Sequence, residues 1–141
     1  LFDVHTKFHA EALYSNGVRL VIEPGDPPGV RFEGDKGWVF VTREEITASD
    51  PATLRQEAEE GEIRLYQSGN HMKNFLECMR SRKEPVAPVE VGHRSNSICL
   101  LAQIAMKLER KLRWDPRAER FLDDDEANNR LDYLHREPWI Y

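Results

Sequence analysis

The residues best equipped for chemistry stand at positions 92–95, "GHRS": a glycine, an imidazole, a guanidinium and a hydroxyl in a row. They fall near the start of a long apolar-periodic run, which places them at a helix N-terminus. Backbone N–H groups are unpaired there, and an anion or a sugar hydroxyl can be held by them. His93 and Arg94 are therefore the substrate-side candidates. The competing reading is structural, a cap plus a buried, hydrogen-bonded histidine, because helix ends require such partners in any case.

Other sets fail on spacing. His5 and His9 would make a metal pair on a helix, but they lie in a strand pattern, where their Cα atoms are ~13 Å apart. With Asp3, Lys7 and Glu11 they fall on its polar face. The acidic run at 123–126 lacks the glycine and the alternating ligands of a calcium loop; negative charge at a helix start is the simpler account. Gly29 and Gly34 have phosphate-loop separation, but Asp35 stands where the lysine is needed, and "WVFVT" follows as a strand and not a helix. Residues 34–37, "GDKG", read as a hairpin turn. No dinucleotide G-x-G-x-x-G occurs, no Ser/His/Asp set or close carboxylate pair can be argued from spacing, and no metal site is expected.

The elements that must position these groups come in two blocks. The first half reads as strands. Phe2, Val4, Phe8, Ala10, Ala12 and Tyr14 alternate, then Val18, Leu20 and Ile22. A three-residue loop, Ser15-Asn16-Gly17, pairs Tyr14 with Val18 and Ala12 with Leu20, with Gly17 left-handed. After the proline-rich 23–29 come a hairpin over 30–42 and a short strand near 45–48. Ser49 or Asp50 caps a helix entered through Pro51, and residues 61–66 form a short strand or an extended connection.

The second half reads as helices. Met72, Phe75, Leu76 and Met79 form one apolar stripe, capped by Asn70. Ile98, Leu101, Ala102, Ala105, Leu108 and Leu112, widened by Cys99, Leu100, Ile104 and Met106, define the most buried helix. Asp123 and Glu126 have capping-box spacing for a last helix, and Arg136 and Trp139 dock the tail. Strands first and helices second predict an α+β fold: an antiparallel β-sheet with helices packed on one face, in a single domain over 1–141.

Composition narrows the class. The 141 residues are 40% hydrophobic and 32% charged, with a net charge of -5. That balance speaks against nucleic acid as a partner, and no apolar run approaches the ~20 residues that span a bilayer. The basic clusters at 80–83 and 107–113 fit solvated helix ends. Cys78 and Cys99 read as buried free thiols.

Four linked motifs, "GVRFEGDKGWVFV", "VGHRSNS", "RWDPRAERF" and "REPW", resemble the C-terminal domain of bacterial glucose–fructose oxidoreductase and inositol dehydrogenase relatives, the Gfo/Idh/MocA family, over about residues 2–139. The resemblance implies an NAD(P)-dependent oxidoreductase acting on sugars or cyclitols. Its N-terminal Rossmann domain would carry the dinucleotide. The present domain would form one wall of the substrate site and make the homo-oligomer through its open sheet face. The Rossmann fingerprint, the Glu-Lys-Pro motif and the Asp-x-x-x-His motif of the family are not among these residues. No catalytic or cofactor-binding residue is therefore carried over, and NAD or NADP is implied for the full-length parent alone. The expected compartment is the cytoplasm or the periplasm. The alternative is a stand-alone module that binds carbohydrate or itself, without redox activity.

Overall fold

In the computed structural model, residues 7–56 and 61–132 are described. In chain order the elements are β1 (Ala10–Leu13), β2 (Arg19–Ile22), β3 (Val30–Gly34), β4 (Gly37–Val41), β5 (Ile46–Ala48), a single 3-10 turn (Thr53–Arg55), α1 (His71–Ser81), α2 (Val89–Leu108), β6 (Trp114–Asp115), β7 (Arg120–Phe121) and α3 (Asp125–Asn128). The fold is α+β with antiparallel strands throughout. These form three sheets among the described residues, β1–β2, β3–β4–β5 and β6–β7. The chain divides into two compact units, Leu1–His9 with Glu23–Val86, and Ala10–Ile22 with Ala87–Tyr141.

The first unit holds the β3–β4–β5 sheet and α1. Gly34 pairs with Gly37, so Asp35 and Lys36 form the expected hairpin turn and carry no phosphate loop. Val39 pairs with Ala48, which sets β5 beside β4. Among the described residues, the helix expected after Asp50 is one 3-10 turn, and residues 57–60 of that expectation lie outside them. The Asp50 carboxylate takes the Ala52 N–H at 2.9 Å, while Ser49 accepts from Trp38 N at 3.0 Å and so ties the sheet instead of capping. Residues 61–66 lie outside the strands assigned among the described residues, so they form the connection rather than the short strand.

Helix α1 begins where expected. The Asn70 side chain accepts from Lys73 N at 2.8 Å, and the helix ends at Arg82 in the left-handed region. Its buried side is not the expected stripe. Asn74 and Cys78 are the buried residues of α1, and Met72, Phe75, Leu76 and Met79 face outward. The Asn74 amide explains this: Nδ2 donates to Tyr66 Oη at 2.7 Å, and Oδ1 accepts from Val86 N at 2.9 Å. These two bonds turn the polar side of the helix toward its flanking segments.

The second unit is built on the β1–β2 hairpin and α2. The three-residue loop forms as predicted. Ala12 pairs with Leu20, Tyr14 N donates to Val18 O at 2.9 Å, and Gly17 has φ +88°. Strand β1 is shorter than the 2–14 alternation suggested, and Phe2, Val4 and His5 lie outside the described residues. Helix α2 packs on β1. It buries Ile104 alone, so the expectation of a thoroughly buried helix is corrected: its N-terminal half is polar and its apolar side chains outnumber the partners available. It ends at Glu109, φ +51°, and Leu112 joins the core from beyond the helix. Cys99 on its surface is exposed, contrary to expectation, whereas Cys78 is buried.

The core of this unit is Ile104, Phe121 and Ala127, ringed by Leu101, Leu108, Leu112 and Trp114. Phe121 is 2% exposed and meets Trp114 edge to face at 5.1 Å, a favoured aromatic geometry. The Asn128 amide bonds both backbone groups of Phe121, accepting from N at 2.8 Å and donating to O at 2.9 Å. Phe121→Ala should lower stability by about 3–5 kcal/mol, the usual cost of emptying an aromatic core site. Urea unfolding followed by circular dichroism measures it.

Candidate functional site

The "GHRS" residues lie in the first turns of α2, as predicted, but none of them caps it. The helix starts after Pro88 without a side-chain cap. The two serines bond back into the helix, Ser95 Oγ to Val91 O at 2.7 Å and Ser97 Oγ to His93 O at 2.8 Å. His93 and Arg94 are about half exposed, so the buried-histidine alternative is corrected as well.

Both candidate side chains converge on the turn between β6 and β7. His93 Nε2 lies 2.8 Å from Glu119 Oε1, and Arg94 Nη1 is 3.0 Å from the same oxygen. Arg94 Nη1 also donates to Pro116 O at 2.7 Å, and its Nε donates to Glu90 Oε1 at 2.8 Å. The turn is shaped by Asp115, whose carboxylate accepts from Arg117 N at 2.8 Å and Ala118 N at 3.2 Å. Those N–H groups hold its pKa below the usual range. Glu119 occupies the left-handed region, φ +49°, which costs a non-glycine residue roughly 1–2 kcal/mol. Its carboxylate, held low by His93 first and Arg94 after it, is what that conformation brings to α2. Nothing in "RAER" announces this role.

Chemically, the arrangement is a carboxylate–imidazole pair with a guanidinium on the same oxygen. Glu119 orients the ring through Nε2 and leaves Nδ1 as the remaining ring nitrogen. The donors of Arg94 are directed to Glu90, Glu119 and Pro116, so its fork is committed to the protein.

A second ion cluster closes the unit. Arg110 bonds Asp124 through both terminal nitrogens, Nη2 to Oδ1 at 2.9 Å, and reaches Glu126 at 3.1 Å. Asp124 also caps α3, accepting from Ala127 N at 3.0 Å. The cap is thus one residue later than Asp123. The basic 107–113 cluster begins as the expected solvated helix end, with exposed Lys107 in the last turn of α2, while Arg110 lies past the helix and is bound to acid. The acidic run acts structurally, as expected, and the described residues contain no group of three His, Cys, Asp or Glu that could hold a metal. His9 Nδ1 meets Glu23 at 3.0 Å. His5, Arg136 and Trp139 lie outside the described residues.

Two shallow concavities lie in the first unit. One of about 420 Å³ is lined by Tyr66, Glu77, Cys78, Arg80, Ser81 and Lys83. The other, about 310 Å³, includes Asp26, Arg31, Trp38 and Phe40. Neither contains His93 or Arg94. The described residues also do not fit a dinucleotide pyrophosphate, which needs free N–H groups at a helix start. Asn70 fills that position on α1, and Glu90 places negative charge in the first turn of α2.

With this geometry in hand, one comparison decides the relationship. The family model GFO_IDH_MocA_C2, described as "Oxidoreductase family, C-terminal alpha/beta domain", matches residues 4–141. The chain belongs to this family. No curated protein and no solved structure matches it. As a Gfo/Idh/MocA C-terminal domain, the chain has the α+β architecture its sequence predicted. Among the described residues no helix is long and apolar enough to cross a membrane.

Two outcomes are expected. Asp124 has its pKa lowered from 3.8 to about 2, by Arg110 first and the Ala127 N–H next. A depressed folded-state pKa means its stabilisation is fully present above the ordinary value near 4 and is lost as pH falls from there toward 2. Asp124→Asn should flatten this acid limb in urea midpoints measured from pH 7 to pH 2.5. Arg94→Lys keeps the charge but loses the fork, so amide exchange at Arg117 and Ala118 should accelerate in hydrogen-exchange mass spectrometry.

Proposed function

We propose that this chain is the substrate-side and oligomerisation domain of an NAD(P)-dependent oxidoreductase acting on sugars or cyclitols. The observation that carries the reading is the family match over residues 4–141. In the proposed enzyme the hydride is exchanged with a nicotinamide held by a separate dinucleotide-binding domain, since the described residues here do not fit that group. This chain supplies a wall of the substrate site. His93 and Arg94 are its substrate-side residues: His93, oriented by Glu119, has Nδ1 available for a substrate hydroxyl, and Arg94 fixes the turn that carries Glu119. The homo-oligomer uses the open face of a sheet, because an antiparallel sheet covered on one side leaves the other for water or a partner, and a two-fold dimer is the commonest arrangement. The enzyme works in the cytoplasm or the periplasm.

The second reading, a stand-alone module that binds carbohydrate or itself, draws on the poor fit to a dinucleotide. One experiment separates the two. The full polypeptide encoded by the gene is assayed for NAD(P)+ reduction at 340 nm against a panel of sugars and cyclitols, beside the 141-residue chain. The proposal expects turnover by the full polypeptide with at least one polyol and none by the 141 residues. Their NADH fluorescence titration should be flat, and sedimentation should show a dimer. A full polypeptide that neither binds NAD(H) nor reduces it would favour the binding module.

A further inference from the structure

One face of the β3–β4–β5 sheet collects both charged and aromatic side chains. Directly paired residues share a face, so the register sets Arg31, Glu33, Trp38, Phe40 and Thr47 on the same side. The 25–29 connection lies against this side. A Cβ on Gly29 would come within 2.6 Å of the Phe40 ring and of Val41 O, so glycine is what lets the backbone approach so closely. Between the connection and the strands lies the concavity of about 310 Å³ lined by Gly25, Asp26, Pro27, Arg31, Trp38 and Phe40. All of these residues belong to the first unit.

The lining is mostly apolar, with two charged side chains beside it. Trp38 and Phe40 are half-buried, whereas Asp26 and Arg31 are exposed. The Arg31 guanidinium carbon lies 4.6 Å from the centroid of the Trp38 ring. Glu33 orients that guanidinium, Nε to Oε1 at 2.7 Å. Both terminal nitrogens of Arg31 are left without a partner among the described residues, and so is the Asp26 carboxylate. An apolar bed with a few polar groups directed along it is the usual composition of a small-molecule site.

We propose that this concavity binds a single neutral pyranose ring. Charge selects the occupant. An anion drawn to Arg31 would also meet Asp26 and Glu33, and a cation drawn to Asp26 would meet Arg31. A ligand without charge meets neither repulsion. A purely apolar ligand would strip water from Asp26 and Arg31 and return no hydrogen bond. A sugar ring answers both demands. Its hydroxyls donate to the Asp26 carboxylate and accept from the Arg31 terminal nitrogens, while its C–H face lies on Trp38, Phe40 and Pro27. The volume stands at the lower end of the ~300–1,000 Å³ range of ligand sites, which suits one ring and not a chain of them. Neither His93 nor Arg94 lines this concavity, and the proposal does not rest on the oxidoreductase reading.

The test titrates the 15N-labelled 141-residue chain with methyl β-D-glucopyranoside and follows its amide and indole N–H resonances. Binding should shift the Trp38 indole N–H and the backbone amides around Asp26 and Arg31, saturating with a Kd of ~1–10 mM. Asp26→Ala, at an exposed loop position, should weaken binding about tenfold through loss of one charge-assisted hydrogen bond, with Tm unchanged. Glucuronate and glucosamine, charged rings of similar size, should bind more weakly than the neutral glycoside, and cyclohexanol more weakly still. The proposal is overturned by the absence of a saturable shift, by shifts confined to the residues around His93, or by equal binding to Asp26→Ala. Cyclohexanol binding as well as the glycoside would also overturn it, in favour of a merely apolar cleft. No nicotinamide is present, so the result is independent of the turnover assay that tests the oxidoreductase reading.

Discussion

The C-terminal unit depends on the burial of one ring. Phe121 closes the core against Trp114, and its backbone is held by the amide of Asn128. A two-residue strand such as β7 has too few ladder bonds to hold its own register. Asn128 supplies what is missing: it completes both hydrogen-bonding groups of Phe121 from α3, so strand and helix cannot be displaced separately. Asp124 then anchors α3 to Arg110, and Arg94 anchors the β6–β7 turn to α2. Each short element is stable because a long-range polar side chain ties it to another. Among the described residues no buried side-chain polar atom is left without a partner.

How far the sequence foretold this depends on the range of the forces involved. The Gly17 loop, the "GDKG" hairpin and the Asn70 cap were legible because their chemistry is local. Backbone sterics and a side chain reaching its own neighbouring N–H decide them. The roles of Asn74, Glu119 and Asn128 were not legible. Each acts on a partner seven or more residues away, and no spacing rule encodes such pairs. The shift of the α3 cap from Asp123 to Asp124 has the same origin. Either carboxylate suits a cap locally, and Arg110 selects between them from outside the helix. The periodicity of α1 and α2 located both helices correctly but overstated their burial, because an apolar stripe specifies a direction and not an occupant.

The candidate site shows the same division. The motif at 92–95 identified His93 and Arg94, and the fold brought both to one carboxylate. The partner that gives them meaning lies in the β6–β7 turn, at a left-handed residue that a sequence pattern would assign to glycine before glutamate. Family membership enters at a different level: it tells what kind of protein the domain serves, while the hydrogen bonds of Glu119 tell what these two side chains do within it.

The bonds of Asn74 have a mechanical meaning. By joining Tyr66 to Val86 through the middle of α1, this amide makes the stretch between them a closed ring, fastened at both ends to its own centre. Such a ring cannot bend where it is fastened. The buried asparagine thus acts as a rivet, holding the segments on either side of α1 to the middle of the helix.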